Sequence, residues 1–350
     1  MEPFISVIMP AYNAENRIDT AISSIATQTM PSWELLIVDD CSTDKTADIV
    51  KKWAQNDKRI SLITLEKNSG PGYAKNLGMS KASGVYITFC DSDDWLDKDA
   101  FAILSNYGKE TSDAIVVGYY RDVCDMENNV LERKPVQAKT WECNQKNEII
   151  RGIVALDKAR LFSYAVNKLY RAEVIRKHKI CFSDKKFGED YDFNIAFFSH
   201  CESIRVLDQM FYHYVKQNNE SLTEKFVENF YEINRERFEK MCALMVKAGC
   251  FDFEIRSTIM NLYIKHFLAA VARLHDARGN VKEVDKFRRV KNMIEDKMSK
   301  TAALYAKATC KSEMICNAVF KTKFVPLILL FGRLLWLVQT KSKKLYEKIK

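Results

Sequence analysis

The first 120 residues alternate between short apolar runs and longer stretches of helical character. The apolar runs are rich in β-branched residues and are expected to be strands, over 5–9, 34–38, 61–65, 85–89 and 113–120. Helices are expected between the first four of them, over 14–27, 44–56 and 71–82. Continuously apolar strands that alternate with helices predict an α/β fold, in which helices cover both faces of a mostly parallel sheet.

The charge of the chain is divided unevenly. Residues 1–222 hold 28 Lys and Arg against 32 Asp and Glu, whereas residues 223–350 hold 26 against 14. After about residue 225 the apolar pattern becomes helical. Helices are expected there over 228–248, 252–275, 281–298 and 301–320. The predicted domains are 1–222, with halves of about 1–120 and 121–222, a helical region over 223–322 and a tail over 323–350.

The cysteines and the N-terminal residues indicate in which cellular compartment the protein is expected. The ten cysteines include no C-x-x-C pair, which argues against a zinc ribbon and for reduced thiols in the cytosol. The first residues, MEPFISVIMP, hold no basic region and only a short apolar run, so a secretion signal is not expected.

Polar, turn-rich segments follow the first four predicted strands. They are 10–13, 39–44, 67–72 and 91–94. Ligands of open α/β sheets bind beyond the carboxyl ends of the strands, so these segments are expected to share one rim. The sequence therefore predicts a site for a polar ligand or a metal at this rim.

The densest group of acids follows the fourth strand, in YITFCDSDDWLD. Asp91 and Asp93 could hold a hard divalent cation that bridges a diphosphate. The alternative is a solvated acidic turn, and D-x-D by itself does not separate the two. Asp94 is expected as a supporting or acceptor-side carboxylate, and Asp97 as the N-cap or a first-turn acid of the next helix.

The segments 6–46 and 68–96, which include SVIMPAYN, LLIVDDCSTD and CDSDDWL, resemble family 2 glycosyltransferases with the Rossmann-like GT-A fold. A weaker similarity continues at 188–193 and 212–223, and nothing diagnostic follows from 225 onward. The resemblance implies inverting transfer of a sugar from a nucleotide diphosphate, most often UDP, with Mn or Mg. It also implies an acceptor that is a glycan or a lipid-linked saccharide of the bacterial cell surface.

The resemblance also implies roles for residues at the first two strand ends. Pro10, Ala11 and Tyr12 are similar to the first nucleotide-binding loop, with Tyr12 near the base. Asp40 resembles the acid that binds the uracil, with Asp39 in support.

Further donor-side roles follow from the same resemblance. Asp91 is similar to the acid nearer the ribose and Asp93 to the metal ligand, with Ser92 between them in the donor site. Lys75 and Asn76 stand where the family usually shows Arg-Asn. Lysine offers a point charge in place of a planar fork, so a bidentate contact is not implied.

The later motifs supply a base and groups near the diphosphate. Asp190 is expected to deprotonate the acceptor, with Glu189 positioning it; the alternative is an acid-rich helix start. Lys216 is expected to neutralise the departing diphosphate, and Ser221 matches the family serine. His213 is a candidate metal ligand, with packing between aromatic residues as the alternative.

The tail over 323–350 combines an apolar stretch with lysines. Its core, 324–338, is interrupted by Pro326, Gly332 and Arg333 and falls short of the ~20 apolar residues that a spanning helix needs. The pattern favours an in-plane helix that adsorbs to an anionic membrane. A buried C-terminal helix is the alternative. Adsorption predicts a peripheral protein on the cytoplasmic face of the plasma membrane.

Other classes fit less well. A D-x-D phosphatase of the haloacid-dehalogenase type carries its motif after the first strand, not the fourth, and no G-x-G-x-x-G follows the first strand to suggest a dinucleotide site. A non-catalytic, membrane-adsorbed nucleotide-sugar-binding protein is a further alternative. Nucleic acid is not expected as a partner, because the basic excess lies beside an apolar helix. A second copy of the chain is also among the expected partners, in a homo-oligomer.

Overall fold

The computed structural model describes residues 3–108, 112–125, 129–185, 187–217 and 227–341. The chain divides into two compact units, residues 1–221 and 222–350.

The first unit combines strands and helices. Its strands are β1 (Ile5–Ala11), β2 (Trp33–Asp39), β3 (Ile60–Thr64), β4 (Tyr86–Phe89), β5 (Trp95–Leu96), β6 (Ala114–Cys124), β7 (Val130–Val136), β8 (Trp141–Cys143), β9 (Lys168–Arg171) and β10 (Ile204–Gln217). Its helices are α1 (Ile18–Ala26), α2 (Thr46–Asn56), α3 (Pro71–Lys81), α4 (Ala100–Gly108), α5 (Lys146–Lys158), α6 (Ala172–His178) and α7 (Glu189–Phe198).

The ten strands form one sheet, in which eight follow the order β3-β2-β1-β4-β9-β6-β10-β5, while β7 pairs with β6 and β8 with β10. The first four strands are parallel, as predicted, and their apolar side chains are almost all buried. Beyond β4 the sheet is mixed, because β9 runs antiparallel to both β4 and β6. The α/β fold is confirmed, and its parallel half is the part that alternates with helices in the sequence.

The register places the predicted rim segments together. Ala11 at the end of β1 pairs with Asp39 at the end of β2, and Ile8 pairs with Phe89 at the end of β4. The chain that follows each of these strands therefore starts from the same edge of the sheet.

Helix α3 begins at this edge and lies close to β1. Gly70 precedes it with φ 86°, a conformation that favours glycine, and Pro71 occupies the first turn. A Cβ on Gly78 would lie 2.5 Å from Ile8 Cγ2, so only glycine permits this approach of α3 to β1.

The second unit is helical in its described part. Its helices are α8 (Phe230–Lys247), α9 (Phe253–Arg273), α10 (Glu283–Glu295), α11 (Lys297–Tyr305), α12 (Lys311–Lys321) and α13 (Val325–Lys341). Helix α9 contacts α8, α11, α12 and α13 and supplies much of the core. The stretch predicted over 281–298 is divided at Asp296, whose carboxylate accepts a hydrogen bond from Met298 N and so caps α11.

Helix α13 has one buried and one exposed face. Ile328 and Gly332 are buried, and a Cβ on Gly332 would lie 2.6 Å from Val271 Cγ1 on α9. Leu330 and Leu334 are more than half exposed. Within the described ranges, no helix has the length and apolarity that crossing a bilayer requires.

Candidate active site

Three carboxylates meet in the turn after β4. Asp91, Asp93 and Asp94 each have one carboxylate oxygen that lies within 4.8 Å of such an oxygen on the other two. Burial raises the pKa of Asp91 to about 7, and burial also raises the pKa of Asp93. Asp91 is half-buried, Asp93 exposed and Asp94 buried, and because like charges this close repel one another, a bound cation would favour their ionised form.

Asp94 is engaged by β10. Its carboxylate accepts hydrogen bonds from the hydroxyl of Tyr212 and from Val215 N, the latter at 2.8 Å. Asp91 N in turn donates to the Tyr212 hydroxyl at 3.2 Å. Asp94 and Tyr212 therefore fix the turn that carries Asp91 and Asp93; sequence reasoning missed Tyr212, although it lies within the motif at 212–223.

A second residue missed from the sequence is Arg17, which precedes α1. Its Nη1 donates to Asp93 O at 3.3 Å, and its charge opposes the rise in the pKa of Asp93. Arg17 lies in the segment that follows β1, and only that position signals its approach to the rim. Nearby, Pro10 and Ala11 belong to β1, and Tyr12 just beyond it is 50% exposed.

The two acids after β2 have different surroundings. Asp40 Oδ1 accepts from Ser69 N at 2.7 Å and Asp40 Oδ2 from Gly70 N at 2.8 Å, so both oxygens hold the backbone before α3. Asp39 is buried, and its Oδ1 has no hydrogen-bond partner in the part of the chain that the structure describes. Asp39 Oδ1 is therefore a second candidate acceptor for a base, beside the predicted Asp40, whose oxygens each keep another lone pair.

Lys75 joins the donor-side acids to the predicted base. Its Nζ lies 2.6 Å from Asp190 Oδ1 and 3.6 Å from Glu189 Oε1. Burial disfavours the charge on Lys75, but Asp190, Asp91 and Glu189 together outweigh it and raise the pKa of this lysine. The other oxygen of Asp190, Oδ2, accepts from Ala165 N at 3.0 Å.

The predicted base stands at the start of α7. Gly188, with φ 85°, precedes the helix, and Glu189 and Asp190 lie in its first turn. Burial raises the pKa of Glu189, while Lys75 opposes that rise. The helix start therefore directs both acids toward Lys75 on α3.

Asn76 is hydrogen-bonded to the backbone of Phe182. Its Nδ2 donates to Phe182 O at 2.9 Å, and its Oδ1 accepts from Phe182 N at 2.8 Å. Since both amide groups are used by one backbone residue, Asn76 joins α3 to the chain around residue 182.

His213 lies apart from the three clustered carboxylates. Its Nδ1 is 2.9 Å from Asp122 Oδ2, and its Nε2 is 3.3 Å from Asp97 Oδ1. The ring stacks on Trp95 at 3.4 Å and on Tyr120 at 4.9 Å between centroids. Burial lowers the pKa of His213, although Asp122 opposes this. These contacts favour the packing alternative over metal ligation.

Three further predicted residues have the following positions. Asp97 is not the N-cap of α4, because that helix begins at Ala100. Lys216 is on β10 beside Val215, whose N–H binds Asp94. Ser221 lies outside the described residues.

Comparisons with known proteins agree on one family. Residues 6–179 match the family model described as Glycosyl transferase family 2. Glycosyltransferase EpsJ of Bacillus subtilis, named as uncharacterized, is 31% identical over 226 residues, which are 64% of this chain and 64% of EpsJ. The poly(ribitol-phosphate) beta-N-acetylglucosaminyltransferase TarS of Staphylococcus aureus is 30% identical over 237 residues, 66% of this chain and 39% of TarS.

Solved structures of TarS are similar over nearly the whole chain. A crystal structure of residues 1–349 of TarS in complex with UDP-GlcNAc has a TM-score of 0.67 and 22% identity, and covers 95% of this chain and 90% of that chain. At this identity the likeness shows the fold. The matched sequence spans less than two thirds of the length of EpsJ and of TarS.

Proposed function

The chain belongs to the family 2 glycosyltransferases, and on that premise we propose that it transfers a sugar from a UDP-sugar to an acceptor hydroxyl with inversion. One observation carries the proposal. Lys75 Nζ lies 2.6 Å from Asp190 Oδ1, and the charge of Asp91 also raises the pKa of Lys75. The acids of the donor side and the candidate base thus belong to one cluster.

The donor base fits the end of β2. Among the described residues Asp39 Oδ1 is a buried acceptor without a partner, and such an atom is costly unless a ligand supplies a donor. The N3–H of uracil is a donor of this kind, and Tyr12 offers an exposed ring just after Ala11, which pairs with Asp39. The TarS complex with UDP-GlcNAc supports a UDP-linked donor.

Asp91 and Asp93 would hold a divalent cation, Mn or Mg. Their oxygen atoms suit a hard cation, and its charge would offset the repulsion among the clustered carboxylates. When bound, such a cation neutralises the diphosphate of the leaving group. Lys216 is proposed to add a further positive charge there.

Asp190 would accept the proton of the attacking hydroxyl. The acceptor O–H bond breaks, its oxygen bonds to the anomeric carbon, and the bond from that carbon to the diphosphate breaks to release UDP. Each carboxylate oxygen of Asp190 has a second lone pair beyond the one used by Lys75 or Ala165. Glu189 is proposed to position the acceptor.

The acceptor is proposed to be a glycan or a lipid-linked saccharide of the cell surface. The name of TarS, a transferase to poly(ribitol-phosphate), supports a surface polymer. The exposed apolar face of α13, with lysines after it in the sequence, supports a peripheral position on the cytoplasmic face of the membrane.

The proposal is tested by incubating the full chain with a panel of nucleotide sugars and Mn or Mg, and measuring the released nucleotide. We expect UDP release from one UDP-sugar, and loss of that release in Asp93→Asn. Asp99→Asn removes an exposed acid of the same region and is the matched control, with turnover as in the wild type. Release of inorganic phosphate from simple aryl phosphates would support a phosphatase instead, and binding of UDP-sugars without turnover would support a non-catalytic protein.

A further inference from the structure

A buried lysine holds the loop that contacts Asp190. The loop, residues 161–165, lies between α5 and β9, and Lys168 at the start of β9 is only 1% exposed. Lys168 Nζ donates to Leu161 O at 2.6 Å, to Tyr164 O and to Asn167 Oδ1 at 2.8 Å. One ammonium group therefore binds two carbonyl groups of the loop and one side chain.

Side chains from α7 and β9 bind the same loop. Asn194 Nδ2 donates to Phe162 O at 2.6 Å, and Asn194 Oδ1 lies 2.6 Å from the hydroxyl of Tyr170. Asn194 is one helical turn after Asp190 on α7. The loop is thus tied to the helix that carries the candidate base, and its Ala165 N–H reaches Asp190 Oδ2 at 3.0 Å.

The contacts of Lys168 select its charged form. Asn167 Nδ2 donates to Val117 O at 2.8 Å, which leaves Asn167 Oδ1 as the atom that faces Lys168. All three partners of Lys168 Nζ are acceptors, and three donated hydrogen bonds require an ammonium group. Burial lowers the pKa of Lys168 to about 7, although the charges of Asp190 and Asp157 oppose this.

A buried ammonium bound only to neutral oxygens is a costly feature for a structural position. A leucine or methionine would fill the same space without a charge to desolvate. A charged donor does two things here that an apolar side chain cannot do. It donates hydrogen bonds to the loop carbonyl groups, and it places a positive charge near Asp190.

We propose that Lys168 is a positioning residue for Asp190. Its ammonium group fixes the 161–165 loop so that Ala165 N–H holds Asp190 Oδ2 in place. This inference rests on the proposed function, because it takes Asp190 as the base.

The test is Lys168→Met in the full chain, measured as the kcat and KM of sugar transfer. We expect kcat to fall by about ten- to a hundredfold, as for a misplaced catalytic group, while the KM for the UDP-sugar stays unchanged. Tyr170→Phe removes a hydroxyl of the same network but leaves the ammonium group, and should lower kcat by a smaller factor at the same KM.

Tyr86→Phe is the matched control for stability. It also removes a buried hydroxyl of the first unit, one that lies 2.7 Å from Ser112 O and does not bind the loop. The inference is wrong if Lys168→Met lowers only the melting temperature, as Tyr86→Phe does, and leaves kcat unchanged. If Lys168→Met does not fold, the same comparison is made with Tyr170→Phe. Asp190→Asn separates the two claims: if that variant is active, the base assignment itself fails.

Discussion

At the scale of single residues, adjacent acids of identical type have different surroundings. Asp39 ends β2 and Asp40 follows it, and successive side chains of an extended chain point to opposite sides. Asp40 is bound by the backbone of Ser69 and Gly70, whereas one oxygen of Asp39 has no partner in the described part of the chain. The sequence alone cannot rank the two acids, because the partners of Asp40 come from a loop 29 and 30 positions away.

This difference predicts a division between stability and binding. Asp40→Asn places an amide against a backbone N–H, so the free energy of unfolding should fall by about 1–3 kcal/mol. Asp39→Ala removes the proposed acceptor for uracil, so the Kd for UDP should rise by about tenfold or more. Chemical denaturation and calorimetric titration with UDP measure the two effects. If Asp40→Asn instead weakened UDP binding at unchanged stability, Asp40 and not Asp39 would be the acid that binds uracil.

For some side chains the sequence indicates a place near the site but not the residue that they contact. The sequence pointed to His213 and Asn76, yet His213 meets Asp122, 91 positions away, and Asn76 meets Phe182, 106 positions away. Such pairings depend on tertiary packing, which local patterns do not encode.

At the scale of helices and strands, the sequence was most informative where pattern and burial agree. The strands β1 to β4 and the helices between them lie close to their predicted ranges. The later strands are short or antiparallel, and the apolar pattern does not specify their partners. In α13, Pro326 is tolerated because it occupies the first turn, and Gly332 because α13 packs closely on α9 there.

The exposed face of α13 leads to a prediction about membranes. Leu330→Glu combined with Leu334→Glu places charge on that face, so less protein should sediment with vesicles that contain anionic lipid. Met314→Glu combined with Ile315→Glu changes two residues of similar exposure on α12 and is the matched control. Equal sedimentation of the wild type and both double variants would contradict adsorption through α13.

At the scale of the whole molecule, the candidate site is assembled from distant parts of the first unit. Lys75 and Asp190 are 115 positions apart and meet at 2.6 Å, and Ala165 reaches Asp190 from a third segment. The sequence identified Lys75 and Asp190 separately through family motifs. That Lys75 would bind the base could not be predicted, because it requires α3 and α7 to begin beside the same edge.

The most direct measurement is the rate of sugar transfer by Asp190→Asn, with the Kd for UDP determined on the same protein. The variant lacks the base but keeps the donor-side residues, so UDP should bind as in the wild type while transfer falls by about a hundredfold or more. Asp192→Asn, which changes another first-turn acid of α7, should transfer at the wild-type rate. Transfer by Asp190→Asn at the wild-type rate would contradict the assignment of Asp190 as the base.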